Sequence, residues 1–143
     1  MEFPFPCSPE ENIVRAIQES HWDKVKGRYS SGLFKGPDTS IGRLAVSPVP
    51  KLLRRFFKHL DKPSNSITGA AEINVGELQK ICLANKPPVS VSVIADGVPF
   101  EAHGEIREKL PRGLAIKIAN EHINELETSR LQAFWYRLSA KFI

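Results

Sequence analysis

Arg28-Tyr-Ser-Ser-Gly-Leu-Phe-Lys-Gly-Pro-Asp-Thr-Ser40 sets the fold expected for this chain. The residues on either side of its Lys35–Thr39 connector, 24–34 and 40–46, have the composition of extended strands. The connector itself has turn chemistry, because glycine, proline and aspartate favour tight turns. The sequence therefore predicts a β-hairpin at this position.

The same stretch is rich in groups that bind anions. Within thirteen positions it holds four serine or threonine hydroxyls, two cations and two glycines. Small donors, a flexible backbone and fixed positive charge suit a pocket for an anionic or phosphate-bearing ligand. The ligand-binding residues predicted within it are Arg28, Ser30, Ser31, Lys35 and Ser40. The alternative interpretation is an ordinary hairpin whose serines satisfy turn backbone groups.

Outside this stretch, helix-start signals recur along the chain. Capping patterns and prolines at the first turn predict five helix starts, at Ser8, Ser47, Asn74, Pro111 and Ser129. In the first of these helices, Ile13, Val14 and Ile17 have the spacing of an apolar helical stripe. The second is predicted to run to about Leu60, with one apolar and one basic face.

Strands and loops complete the expected architecture. Residues 89–94 alternate as a strand should, residues 101–107 are predicted as a short strand, and residues 63–71 as a loop. The chain is therefore predicted to be α+β, with a small mixed or antiparallel sheet covered by about four to five helices. Its 143 residues fit a single compact domain, residues 1–143, with residues 1–7 as a candidate flexible N-terminal segment.

Composition and motifs argue against several classes of protein. No apolar run approaches the roughly 20 residues that cross a bilayer, so no membrane partner is expected. The N-terminus lacks the basic start of a signal peptide, and the two cysteines lie far apart, which favours a cytoplasmic location. Metal-ligand spacings, phosphate loops and dinucleotide fingerprints are missing, so neither a metal nor a cofactor is expected.

Positive charge is concentrated in one part of the chain. The formal net charge is +4, yet residues 24–62 carry ten basic against two acidic residues. One side of the fold is therefore expected to attract an anionic partner. The basic face of the second helix is the expected contact surface: Lys51, Arg54, Arg55 and Lys58. The alternative is a solvated helix surface whose long side chains cover apolar neighbours.

Two histidines are further candidates for ligand binding. His21 follows the first predicted helix, where an imidazolium suits a helix C-terminus. His103 lies on or beside a short predicted strand, where it is placed to face a cleft as a general acid–base or ligand donor. In an enzyme, His103 would be catalytic together with Ser30 and Ser31. The alternative at both positions is a hydrogen-bonded structural histidine.

Two short segments resemble a loose group of small bacterial proteins. These share an Arg-x-Ser-Ser-x-x-Phe-Lys segment, here residues 28–35, and a late Ala-His-x-x-Ile segment, here residues 102–106. The resemblance implies no particular reaction, but it implies that the two segments meet around one pocket. The hydroxyl-rich strand with a nearby arginine and histidine is also distantly similar to ADP-ribosyltransferase sites, although no catalytic glutamate can be assigned.

Three classes of function remain open from the sequence. The favoured one is a binding module that holds nucleic acid, a nucleotide or an acidic protein surface through the basic helix and the hairpin. The second is a subunit of a larger assembly or homo-oligomer, in which Trp135, Tyr136 and Phe142 are interface anchors. The third is a small nucleotide-using enzyme with a histidine and serine pocket.

Overall fold

A seven-stranded antiparallel sheet forms the centre of the molecule. The computed structural model describes residues 2–127 and 130–143. Its strands are β1 (Phe5–Pro6), β2 (Asn12–Gln18), β3 (Trp22–Asp23), β4 (Arg28–Tyr29), β5 (Thr39–Arg43), β6 (Ile67–Asn74), β7 (Val93–Ala95), β8 (His103–Ile106) and β9 (Asn124–Glu127). Its helices are α1 (Val49–His59), α2 (Val75–Leu83), α3 (Arg112–Glu121) and α4 (Arg130–Ala140). The sheet order is β1-β7-β8-β5-β2-β6-β9, and β3 and β4 form a separate two-stranded ribbon.

Helices cover both faces of this sheet. On one face, Val14 and Ala16 of β2 belong to a core shared with α1 and α4. On the other, Ile13 and Ile17 pack in a core with α2, α3 and a short 3-10 turn, Ser31–Leu33. The predicted α+β class is thus confirmed, with four helices in the described part of the chain. The sheet is larger than predicted, because β6 and β9 extend it beyond β2.

The predicted helix from Ser8 is wrong, and a strand stands in its place. The spacing of Ile13, Val14 and Ile17 fits a helical stripe, but it equally fits a strand buried on both faces. The capping pattern is present as a turn only: the Ser8 N–H donates to a Glu11 carboxylate oxygen at 3.1 Å. The chain after this turn is extended because β2 pairs with β6 at seven positions.

The other predicted elements agree with the structure to different extents, and of the strand predicted over residues 89–94 only Val93 and Ile94 belong to a strand, β7. The helices α1, α2 and α3 form where their start signals lie, and Asn74 caps α2 by accepting the Glu77 N–H at 3.0 Å. The predicted loop over residues 63–71 is wrong in its second half, because β6 begins at Ile67 and five of its eight residues are buried. The strand β9 was not expected from its sequence. The predicted cap Ser129 lies outside the described residues.

The predicted hairpin is wrong in its first strand. Within residues 24–34 only Arg28–Tyr29 is extended, and it pairs with β3 rather than with residues 40–46. The Asp23 carboxylate accepts two backbone N–H groups and Gly27 adopts a φ of +64°, so the ribbon turns back on itself. The second strand, predicted over residues 40–46, forms as β5 at Thr39–Arg43 and lies between β2 and β8.

The N-terminal residues take part in the sheet through β1, which pairs with β7 at one edge. Arg43 holds this edge: its guanidinium donates to both Glu11 carboxylate oxygens, at 2.9 and 3.0 Å, and lies 5.0 Å from the Phe5 ring centroid. Residues 5 and 6 of the segment predicted as flexible are therefore tied to the core. Each helix in the described part of the chain is too short or too polar to span a bilayer.

Candidate anion-binding cavity

A cavity lies where β2 and β5 stop pairing. These adjacent strands pair at only two positions, Ile13 with Arg43 and Val14 with Gly42, although both strands continue further. At this divergence is a cavity of about 250 Å³, which we call the split-strand cavity. Its walls come from Arg15, Gln18, Gly32, Leu60 and residues 36–40. The polar stretch identified in the sequence therefore does border a cavity, and β2 supplies another part of the wall.

Arg15 is the charged group that dominates this cavity. Its Nε–H donates to the Leu33 carbonyl oxygen at 3.0 Å, and no residue in the described part of the chain forms an ion pair with it. Burial lowers the pKa of its guanidinium to about 10, so it stays protonated at neutral pH. A partly buried charge without a counter-charge is costly, and an anion that enters the cavity would relieve this cost.

His21 lies behind the cavity wall at Gly32. Its Nδ1 accepts the Gln18 N–H at 3.0 Å, so in the neutral ring the proton is on Nε2. Burial, and to a smaller extent the charge of Arg15, lower the pKa of His21 to about 4. The ring is therefore neutral at physiological pH, and the imidazolium expected from the sequence does not form there.

Asp38 is the acidic residue of the cavity wall. It adopts a φ of 53°, and its N–H donates to the Arg107 carbonyl oxygen at 3.2 Å. Its exposed carboxylate makes no salt bridge to Arg15. The negative charge of this carboxylate disfavours ligands that carry several negative charges. Its oxygens can accept a hydrogen bond from a hydroxyl or amine group of a bound molecule.

Ser40 is the predicted ligand residue that lines the split-strand cavity, while four others lie outside its walls: Arg28, Ser30, Ser31 and Lys35. The Ser30 hydroxyl accepts the Gly32 N–H at 3.3 Å and caps the 3-10 turn. Arg28 is exposed on the β3–β4 ribbon. The alternative interpretation, serines that satisfy turn backbone groups, therefore describes Ser30.

Sequence reasoning missed Arg15, although a signal was present. The residue stands inside the run Ile13-Val-Arg-Ala-Ile17, where its four neighbours are apolar and fully or almost fully buried. A strand with both faces covered has no solvent for a charge, so an arginine in such a run needs a special environment.

His103 lies apart from the split-strand cavity. On β8 it pairs in register with Gly42, its Nδ1 is 2.6 Å from an Asp96 carboxylate oxygen, and its ring packs edge-on to Phe100 at 5.4 Å. It lines neither the split-strand cavity nor the cavities beside α1 and Trp22. The two segments of the bacterial resemblance are not paired in the sheet, because β8 pairs with β5 and β7 whereas residues 28 and 29 belong to the separate β3–β4 ribbon. His103 does not share a cavity wall with Ser30 and Ser31.

The basic face of α1 borders a second cavity. Lys51, Arg54 and Arg55 line this α1 cavity of about 280 Å³ together with Glu101. Arg54 Nη2 donates weakly to the Ser139 carbonyl oxygen at 3.5 Å, while its Nε is buried without a hydrogen-bond partner. Lys58, the fourth predicted cation, instead contacts the Ile143 carbonyl oxygen.

The expected interface anchors near the C-terminus differ in exposure. Trp135 is 58% exposed and Phe142 is 81% exposed. Tyr136 is half-buried, because its ring stacks on Phe57 with centroids 5.6 Å apart.

Comparison with protein-family models, with curated proteins and with solved structures gives no match for this chain. Within residues 2–127 and 130–143, no group of three or more histidine, cysteine, aspartate or glutamate residues is arranged to hold a metal ion. The function must therefore be inferred from the geometry of the two basic cavities.

Proposed function

We propose that the protein is a binding module for a small anionic ligand whose phosphate or carboxylate group is held by Arg15 in the split-strand cavity. The observation that carries this proposal is the partly buried, protonated guanidinium of Arg15, which donates one hydrogen bond to Leu33 and has no acidic partner among the described residues. Charge-assisted hydrogen bonds to an anion would use the remaining donors of the guanidinium.

The size and charge of the cavity limit the ligand. At about 250 Å³ it lies below the range of roughly 300–1,000 Å³ typical of sites for drug-sized molecules. It therefore suits a small anion, or the anionic head of a larger molecule whose remainder stays outside. The Ser40 hydroxyl adds a donor, and Asp38 favours a ligand with a hydroxyl or amine beside its anionic group.

The test is thermal unfolding of the full chain with inorganic phosphate and with adenosine 5′-monophosphate. A ligand at a hundredfold its dissociation constant stabilises the folded state by about 2.7 kcal/mol. We expect one or both probes to raise the melting temperature, and Arg15→Met to abolish that increase. Arg28→Met is the matched control, because it removes an equal charge from an exposed site outside the cavity.

Two results would contradict the proposal. One is the absence of any ligand-dependent shift in the parent protein with either probe. The other is a shift that Arg15→Met retains or that Arg28→Met loses equally, since binding would then reflect overall charge rather than the cavity.

A second candidate function is binding of an anionic macromolecule such as nucleic acid along α1. The unpartnered Arg54 Nε favours it, because this buried donor stands beside the cations Lys51 and Arg55 in one cavity. We expect a labelled single-stranded oligonucleotide to bind with strong salt dependence. Replacing two phosphate-contacting cations would reduce the slope of log affinity against log salt by about 1.4.

The variant pair for this test is Lys51→Gln with Arg55→Gln, and the control is Lys80→Gln with Lys117→Gln. The control residues are exposed on α2 and α3, which cover the opposite face of the sheet. An unchanged salt slope in the first pair, or an equal change in the control pair, would reject α1 as the contact surface.

A further inference from the structure

A groove beside the segment that follows β2 is lined by aromatic and acidic side chains, unlike the two basic cavities. This aromatic groove has a volume of about 480 Å³ and is lined by Ile17, Glu19, Trp22, Lys24, Tyr29 and Glu125 among others. It shares no lining residue with the split-strand cavity. Binding in the aromatic groove therefore does not depend on the proposed function.

Trp22 presents a large aromatic surface in this groove. Its side chain is 44% exposed, and its ring meets the buried ring of Tyr29 edge-to-face with centroids 5.0 Å apart. Such a contact fixes the orientation of the indole while leaving much of it accessible. Tryptophan has the aromatic face that attracts cations most strongly.

Two carboxylates line the same groove as the indole. The Tyr29 hydroxyl donates to Glu125 Oε1, which orients that carboxylate. Glu19 begins the 3-10 turn between β2 and β3 and also lines the groove. Lys24 is the single cation among the described lining residues, so the formal charge of the groove is −1 in a chain whose net charge is +4. This local reversal of sign favours a positively charged occupant.

From this arrangement we propose that the aromatic groove binds a guanidinium or ammonium group. The cation lies against the Trp22 ring and its N–H donors reach the Glu125 and Glu19 carboxylates, while the apolar stem packs on Ile17. A small free amine and the basic side chain of a partner peptide present this same chemistry. The two sources are separated by the probes used in the test.

Intrinsic fluorescence gives a direct test, because Trp22 is one of only two tryptophans. In Trp135→Phe protein the signal comes from Trp22 alone. The probes are agmatine as a free guanidinium, a capped Gly-Arg-Gly peptide, and a capped Gly-citrulline-Gly peptide as the neutral comparison. We expect a saturable change with one or both guanidinium probes and none with citrulline. Agmatine binding as tightly as the peptide indicates a small-molecule ligand, and peptide binding about tenfold tighter indicates a protein partner.

Three variants on this background define the role of charge. Glu125→Gln keeps an oxygen that accepts the Tyr29 hydroxyl but removes the charge, and we expect about tenfold weaker binding. Lys24→Gln removes the competing cation and should tighten binding about threefold. Glu77→Gln is the matched control, because Glu77 is exposed on α2 and does not line the groove.

The inference is overturned by any of three results. These are no saturable change with either guanidinium probe, an equal response to the citrulline peptide, or unchanged affinity in both Glu125→Gln and Lys24→Gln. An equal citrulline response would show that the groove recognises neutral polar ligands. Thermal unfolding of each variant confirms that it is folded, and the Lys24→Gln result stands even if Glu125→Gln is unstable.

Discussion

The two borders of β2 differ in how far they are paired. Towards β6 the strand pairs at seven positions, and the facing residues Ala70 and Ala71 are fully buried. Towards β5 it pairs at only two positions, and beyond them lie Arg15 and the split-strand cavity. One edge of β2 is therefore fully paired within the core, while the other edge borders a cavity that can hold a small ligand. The comparison shows that a charge is accommodated in a buried strand where its neighbour diverges.

Lowering the pH should reduce the free energy of unfolding through protonation of His21, which lies behind the wall of the split-strand cavity. Its pKa is about 4 in the folded protein against an ordinary value of 6.5, so the unfolded chain takes up the proton first as the pH falls. The stability that it contributes is complete above about pH 6.5 and is lost as the pH falls towards 4. The shift corresponds to about 3 kcal/mol at most.

The measurement for this prediction is urea unfolding at several pH values in parent, His21→Asn and His122→Asn proteins. Asparagine offers an oxygen in place of Nδ1 to accept the Gln18 N–H, but it does not titrate. We expect His21→Asn to remove most of the loss between pH 6.5 and 4, while the exposed His122 control keeps it. Equal pH profiles in all three proteins would show that His21 does not titrate differently on folding.

Substitution of two glycines compares packing where β2 and β5 are paired with packing in the cavity wall, and smaller effects on stability are expected. Gly42 stands at the last paired position of β2 and β5, where an added Cβ would lie 2.8 Å from the Leu52 side chain. Gly32 stands in the cavity wall, where a Cβ would lie 3.4 Å from the Ser30 hydroxyl. We expect Gly42→Ala to cost about 2 kcal/mol of unfolding free energy by overpacking, and Gly32→Ala less than about 0.5 kcal/mol.

Denaturant unfolding of these two variants measures the difference directly. Equal losses would mean that the cavity wall is packed as tightly as the paired border. The two borders of β2 would then not differ in the way proposed.

The sequence predicts helices better than it predicts the strands of this fold. The starts of α1, α2 and α3 could be predicted because proline and capping residues act locally, within one turn. β2 could not, because a strand buried on both faces reads as a continuous apolar run, and Ile13, Val14 and Ile17 also fit a helix. Its pairing with β6 is a contact between residues far apart in the chain.

The sequence indicated part of the cavity wall but not Arg15. The polar stretch Arg28–Ser40 borders a cavity and Ser40 lines it, whereas its role in ligand binding stays a prediction. Arg15 was missed because it lies outside that stretch and approaches it only when β2 and β5 become neighbours. Composition identified the wall that is rich in glycine and hydroxyl groups, whereas the position of the Arg15 charge depends on the order of strands in the sheet.

The most direct test of a ligand-binding role for Arg15 is the stability of Arg15→Met without any ligand. Burial lowers the pKa of Arg15 from 12.5 to about 10, which corresponds to a cost of about 3 kcal/mol for keeping the charge. Losing the hydrogen bond to the Leu33 carbonyl oxygen offsets about 2 kcal/mol of this. If Arg15 serves a ligand rather than the fold, chemical unfolding should show Arg15→Met to be about 1 kcal/mol more stable than the parent. A loss of about 1 kcal/mol or more would show instead that Arg15 is a structural residue and that the cavity is incidental.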